Sequence, residues 1–156
     1  MRYAGLEKND MINGEGVCVS FWTQGCPHKC PGCHNPETWD YDKGMEVPID
    51  IKEQIIKAIS ANGIKRNFSV LGGEPLCEEN LLLAKQILLE VKLAYPHIKT
   101  FLWTGYTLEK LSQEQKEVLK YVDTLIDGPY CQELRDVTLK LKGSSNQRVL
   151  KKGIDF

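Results

Sequence analysis

The chain has 156 residues, which suits one domain with a buried core and falls well short of the roughly 250 typical of a closed eight-stranded α/β barrel. Its 20 basic and 21 acidic side chains nearly cancel and form no basic block, so no affinity for nucleic acid or for an anionic membrane is expected. No apolar signal core follows Met1–Lys8, and no apolar run approaches the roughly 20 residues that span a bilayer, which predicts a cytoplasmic protein.

Val17–Trp22 is rich in β-branched and aromatic residues and reads as a strand, preceded by turn-prone Asn13-Gly-Glu-Gly16 and followed directly by a cysteine-rich loop. Asp50 and Glu53 make a capping-box pattern. With Ile51, Ile55, Ile56 and Ile59 at helical spacing and Asn62-Gly63 as a stop, they predict a helix. Phe68–Leu71 reads as a short buried strand running into Gly72-Gly-Glu-Pro75, and Leu81–Val91 as an apolar-striped helix that ends before Pro96. The order repeats with a strand over Lys99–Trp103, the loop Thr104-Gly-Tyr106, and a helix capped by Ser112 and Gln115 that runs to about Lys120. A strand over Val122–Ile126 leads into Asp127-Gly-Pro129. Val137–Leu141 and Arg148–Leu150 are expected as two short strands around the turn Gly143–Asn146.

Strands alternating with helices predict an α/β fold with parallel pairing and right-handed crossovers. The cysteine loop, Gly72–Pro75, Thr104-Gly105 and Asp127-Gly128 all follow predicted strands, and in parallel α/β folds that edge of the sheet carries the active site.

Six cysteines in a reducing compartment are poor candidates for a disulfide framework, so Cys18, Cys77 and Cys131 are expected as structural residues. Cys26, Cys30 and Cys33 lie in one short run, and three thiolates with no fourth cysteine beside them imply a metal centre with an open position. Thiolates hold iron-sulfur clusters, zinc and copper(I). A zinc site completed by His28 or His34 is an alternative, and Cys30-Pro-Gly-Cys33-His34 also satisfies the spacing of c-type haem attachment, in which Cys26 has no role. In Gly72-Gly-Glu-Pro75, two glycines let the backbone approach a ligand, Glu74 can accept hydrogen bonds from an ammonium group, and Pro75 stiffens the exit.

The spacing Cys26-x-x-x-Cys30-x-x-Cys33 resembles the signature of the radical S-adenosylmethionine enzymes, and Gly72–Pro75 resembles that superfamily's Gly-Gly-Glu-Pro loop. The resemblance implies a truncated TIM-like barrel, one radical S-adenosylmethionine domain over residues 1–156, and one 4Fe-4S cluster held by the three cysteines. The fourth iron would then chelate S-adenosylmethionine. It further implies that Gly72, Gly73 and Glu74 receive the methionine amino group and that Gly32, Cys33 and His34 line the adenine pocket. His34 stands where the superfamily usually carries an aromatic residue. Thr104 and Asp127, at strand ends on the same rim, are candidates for polar contacts to the cosubstrate.

Asn13–Gly16, Cys33-His-Asn35 with Thr38-Trp39, Trp103–Tyr106, Asp127-Gly-Pro-Tyr130 and Lys142–Gln147 narrow the likeness to the small activating proteins of anaerobic ribonucleoside-triphosphate reductase. That family implies cleavage of S-adenosylmethionine to a 5′-deoxyadenosyl radical that abstracts hydrogen from a glycine of the reductase, with a low-potential electron donor such as flavodoxin. An activase of another glycyl-radical enzyme would share the cysteines and the glycine loop. A zinc-stabilised binding module is the non-enzymatic alternative.

Overall fold

The computed structural model describes residues 1–156. Its strands are β1 (Arg2–Asp10), β2 (Cys18–Thr23), β3 (Met45–Glu46), β4 (Asn67–Gly72), β5 (Thr100–Trp103), β6 (Thr124–Asp127) and β7 (Arg148–Lys151), and its helices are α1 (Ile51–Ser60), α2 (Glu78–Ala94) and α3 (Gln113–Val118). The strands form one open sheet in the order β3-β1-β2-β4-β5-β6-β7. The central β2, β4, β5 and β6 are parallel, and antiparallel β1, β3 and β7 flank them. A mixed α/β fold with a parallel centre is thus observed. No helix is long and apolar enough to cross a membrane.

Alternation along the strands divides the sheet into two unlike faces. Val19 and Phe21 of β2, Phe68 and Val70 of β4, Leu102 of β5, Leu125 of β6 and Leu150 of β7 sit in register and pack with Ile55, Leu83, Ile87, Leu88 and Val118 of the helices into the main core. Tyr3 of β1 stacks on Phe21 at 5.4 Å and extends that core to the antiparallel side. The opposite face carries Ser20, Trp22, Ser69, Leu71, Phe101 and Trp103, and irregular chain approaches it instead of helices. Ser69 Oγ donates to Asn13 O at 2.6 Å, and Trp103 Nε1 donates to Leu141 O at 2.7 Å.

β1 and β3 go beyond the expected elements, and two further expectations are not met. β1 carries register shifts between Tyr3 and Gly5 and between Glu7 and Asp10, and such bulges erase the period-two pattern by which a strand is read. Val137–Leu141 is not a strand: Thr138 donates from both N and Oγ1 to Asp136 Oδ1, a local turn that competes with ladder pairing. The capping box expected at Asp50 does not form, since its carboxylate instead accepts from Gln54 Nε2 at 2.9 Å, whereas Ser112 and Gln115 do cap each other reciprocally.

Two carboxylates pin the sheet. Asp10 closes the bulge after β1 by accepting from Ile12 N, Asn13 N, Asn13 Nδ2 and Ser20 Oγ. Asp123 ties the start of β5 to that of β6 through Lys92 Nζ and Thr100 N. Burial pushes both carboxyls up, but these donors outweigh it and hold both below the usual range. A depressed folded value stabilises the fold above the unfolded value of about 4, and that contribution is lost as pH falls through the lower folded value. The urea midpoint should therefore fall between pH 5 and pH 2.5, about, and Asp123→Ala should flatten that decline. An unchanged acid limb would contradict the assignment.

Candidate active site

The carboxyl ends of the four parallel strands open into one cavity of about 600 Å³. A groove of about 620 Å³ between α2 and α3 holds none of the clustered cysteines. The first wall of the cavity is the cysteine loop that leaves β2. Its neck is closed by Gly25 N to Thr38 O at 2.7 Å, Cys26 N to Trp39 O at 3.2 Å, and Gln24 Nε2 donating to Glu37 O and Asp40 O at 3.0 and 2.7 Å. Within the loop, Lys29 and Gly32 at φ 49° and 75° turn the chain so that Cys26, Cys30 and Cys33 all line the cavity. Burial pushes the Cys26 and Cys30 thiols up, although Cys26 receives the N–H groups of His28 and Lys29 and Cys30 that of Tyr130.

The second wall is the glycine loop after β4. Gly73 N donates to Thr23 O at 2.9 Å and Glu74 N to Gly25 O at 2.8 Å, which lays this loop against the neck of the cysteine loop. The approach requires glycine: a β-carbon on Gly73 would lie 2.4 Å from Gly25 O and 2.9 Å from Thr38 O. Asn80, buried in the first turn of α2, locks the pair by donating from Nδ2 to Gln24 O at 3.0 Å and Glu74 O at 3.1 Å. Nothing in the motifs announced this residue. Yet Asn80 continues the buried stripe of Ala84, Ile87 and Val91, and a polar side chain on such a stripe is itself a signal. Asn80→Ala should cost about 1–3 kcal/mol, because buried carbonyls lose their donor. Urea unfolding measures this, and a neutral result would remove Asn80 as the clamp.

The residues expected at the site divide in two. Cys26, Cys30, Cys33, His34, Gly72, Gly73, Glu74 and Thr104 line the cavity. Gly32 and Asp127 do not. Gly32 backs onto Gln132, whose side chain occupies the space a β-carbon would take. Asp127 is buried and committed elsewhere: it accepts from Arg148 Nε at 2.9 Å, from Arg148 Nη2, and from Leu108 N at 2.8 Å, while Arg148 also grips Glu109. Asp127 thus anchors the chain after β6 to Arg148 and Leu108, outside the lining of the cavity.

Glu74 also departs from expectation in how its carboxylate is used. It is fully buried, and Oε1 accepts from Gly105 N and His28 Nε2, both at 2.7 Å, while Oε2 accepts from Leu76 N at 2.9 Å and Thr104 Oγ1 at 2.8 Å. Four donors fill a carboxylate's four lone-pair sites, so no acceptor is left free for an incoming ammonium group. Glu74 instead binds the loops after β4 and β5 and the cysteine loop into one wall.

The donor chemistry fits an iron-sulfur group. Three soft thiols share one cavity, while His28 is turned to Glu74 and His34 is tilted against Tyr130 at 5.1 Å.

Comparison with known proteins agrees. Residues 12–150 match the family model described as a 4Fe-4S single cluster domain. The chain is 36% identical over 148 residues to the anaerobic ribonucleoside-triphosphate reductase-activating protein of Vibrio cholerae, an alignment covering 94% of this chain and 96% of that one. It is 34% identical over 150 residues to the protein of the same name from Escherichia coli, covering 96% and 97%, and 36% identical over 150 residues to that of Enterobacteria phage T4, covering 96% and 93%. Relatedness over nearly the whole length, with a cluster domain that spans the cavity-forming loops, means that the chain belongs to the family of anaerobic ribonucleoside-triphosphate reductase-activating proteins.

Proposed function

We propose that this chain is an enzyme that activates an anaerobic ribonucleoside-triphosphate reductase by generating a glycyl radical on it. The carrying observation is that three clustered thiols and the Gly72–Glu74 loop form adjoining walls of one cavity at the carboxyl ends of parallel strands. Cys26, Cys30 and Cys33 would hold a 4Fe-4S cluster, which when reduced would supply the electron that cleaves S-adenosylmethionine to methionine and a 5′-deoxyadenosyl radical; that radical would take a hydrogen atom from a reductase glycine, leaving 5′-deoxyadenosine and the glycyl radical.

The chain's own part is to bind and orient. Cys26, Cys30 and Cys33 provide three thiolates and leave a metal position for the cosubstrate. The Gly72-Gly73 backbone approaches the amino-acid end, Thr104 completes that wall through Glu74, and Cys33 and His34 flank the nucleoside side. Residues 1–156 act as one radical S-adenosylmethionine domain. In this reading the open sheet is part of a truncated TIM-like barrel whose helix-free face looks onto the cavity, and the missing strands leave a side through which a loop of the reductase can enter. The electron donor is a low-potential carrier such as reduced flavodoxin, and the free thiols and such a carrier fit the cytoplasm.

Cluster uptake should depend on pH in a definite direction. Burial raises the Cys26 and Cys30 thiols, so both are protonated near neutrality and each must release a proton to ligate. Iron incorporated during anaerobic reconstitution should rise from about pH 7 to pH 9; a flat profile would contradict ligation by these thiols. The function itself is tested by mixing reduced, loaded protein with S-adenosylmethionine and the reductase and recording the electron paramagnetic resonance spectrum, with pyruvate formate-lyase as a parallel target. A glycyl doublet on the reductase is expected. A doublet on the lyase alone, or no 5′-deoxyadenosine, would overturn the proposal.

A further inference from the structure

Three loops of the cavity meet at one imidazole. His28 leaves the cysteine loop midway between Cys26 and Cys30, and its Nε2 lies 2.7 Å from Glu74 Oε1. Its ring stands edge-on to Tyr106, with centroids 4.5 Å apart and planes at 74°. Gly105 lies directly behind it: a β-carbon there would fall 2.6 Å from His28 Cδ2 and 2.8 Å from Nε2. The absence of a side chain at position 105 is what gives the imidazole its place.

The pattern of donors to Glu74 gives this contact its meaning. A carboxylate only accepts, so the hydrogen-bond network assigns the proton to His28 Nε2. Leu76 N belongs to the exit of the glycine loop, and Thr104 Oγ1 and Gly105 N belong to the loop after β5. His28 is thus the donor to Glu74 that comes from the cysteine loop. The other ties between the cysteine and glycine loops, from Glu74 N to Gly25 O and from Asn80 to Gln24 O, hold only the neck before Cys26. Beyond the neck, the segment that carries Cys30 reaches the glycine loop through His28.

We propose that His28 is a positioning residue whose hydrogen bond to Glu74 fixes the distal half of the cysteine loop, and with it the uncapped metal position, against the pocket for the cosubstrate's amino-acid end. This rests on the function proposed above and assigns His28 a role that is neither ligand nor acid-base. A side chain that sets the spacing between two binding loops acts on cosubstrate affinity and leaves cluster content alone.

The test uses full-length protein reconstituted without oxygen: wild type, His28→Ala, His28→Gln, Gly105→Ala and the double variant His28→Ala/Gly105→Ala. Iron and sulfide per chain report ligation, and the change that S-adenosylmethionine makes in the spectrum of the reduced cluster reports its Kd. All variants should hold wild-type iron and sulfide. His28→Ala and Gly105→Ala should each weaken Kd about tenfold, the scale of one hydrogen bond to a charged group. His28→Gln, whose amide nitrogen reaches the same carboxylate, should return to within about threefold of wild type. Because the methyl at position 105 acts by displacing the imidazole, the double variant should bind no more weakly than His28→Ala.

Wild-type affinity in both His28→Ala and Gly105→Ala would overturn the positioning role. Loss of iron in His28→Ala and His28→Gln alike would make His28 a ligand instead. An additive double variant would show that Gly105 acts elsewhere and would remove the steric half of the argument. Should His28→Ala fail to fold, His28→Gln and Gly105→Ala decide the question alone. A wild-type spectrum unmoved by the cosubstrate would overturn the proposed function itself, an outcome recognisable before any variant is read.

Discussion

Cys26→Ala protein, reconstituted without oxygen, should retain little iron and form no measurable 5′-deoxyadenosine, whereas Cys77→Ala protein should keep both and lose only stability. Both cysteines are buried, so burial does not separate them. Their surroundings do. Cys26 lines the cavity beside Cys30 and Cys33. Cys77 sits at the N-cap of α2, where Asn80 Nδ2 approaches its sulfur at 3.4 Å and burial pushes its thiol up to about 11. Lying outside the cavity wall, Cys77 is a packing residue. Changes in outer-shell partners of metal sites alone cost about 10–100-fold, so removing one of three ligands should cost more than about 100-fold in product formation. Cys77→Ala should cost about 1–3 kcal/mol in urea unfolding with iron content unchanged. Equal losses in the two variants would undo the partition between ligand and structural cysteines.

Glu74→Ala should be the most damaging substitution outside the cysteines. It strands donors from Leu76, Thr104, Gly105 and His28 around a buried position, and it unties three loops at once. A loss of about 3–5 kcal/mol is expected, since breaking a buried charged network leaves its former partners uncompensated. Glu74→Gln keeps the shape but turns an NH₂ group toward donors on one side, so it should fold and yet bind S-adenosylmethionine about 10–100-fold more weakly. Urea midpoints and cosubstrate titration measure the two effects. If Glu74→Ala were as stable as wild type, the carboxylate would not be the joint that the geometry makes it.

The parts of the fold that surround the site were legible because their signals are local. Phe68–Leu71 and Val122–Ile126 are short stretches rich in β-branched and apolar residues followed by Gly72-Gly73 and Gly128, and the glycines mark the turns at which the parallel strands end. β1 was not legible, because its bulges at Gly5 and near Asp10 break the alternation that would have revealed it. The same contrast runs through the site. The cysteines and Gly73 are set by spacing and by backbone approach within a few residues. Asp127, by contrast, is a candidate only by its position at a strand end, and its side chain answers to Arg148, 21 residues later. The engagement of Glu74 with His28 spans 46 residues, and its tie to Thr104 spans 30. A motif tells which residues surround a ligand, but whether an acceptor is free depends on partners that only the tertiary fold supplies.

The central claim is that Cys26, Cys30 and Cys33 leave one metal position for the cosubstrate, and Mössbauer spectroscopy of protein reconstituted with iron-57 addresses it most directly. With S-adenosylmethionine added, one iron of the four should change its isomer shift and quadrupole splitting while the other three stay as they were. Four irons that all ignore the cosubstrate, or a preparation that takes up a single zinc in their place, would contradict the account.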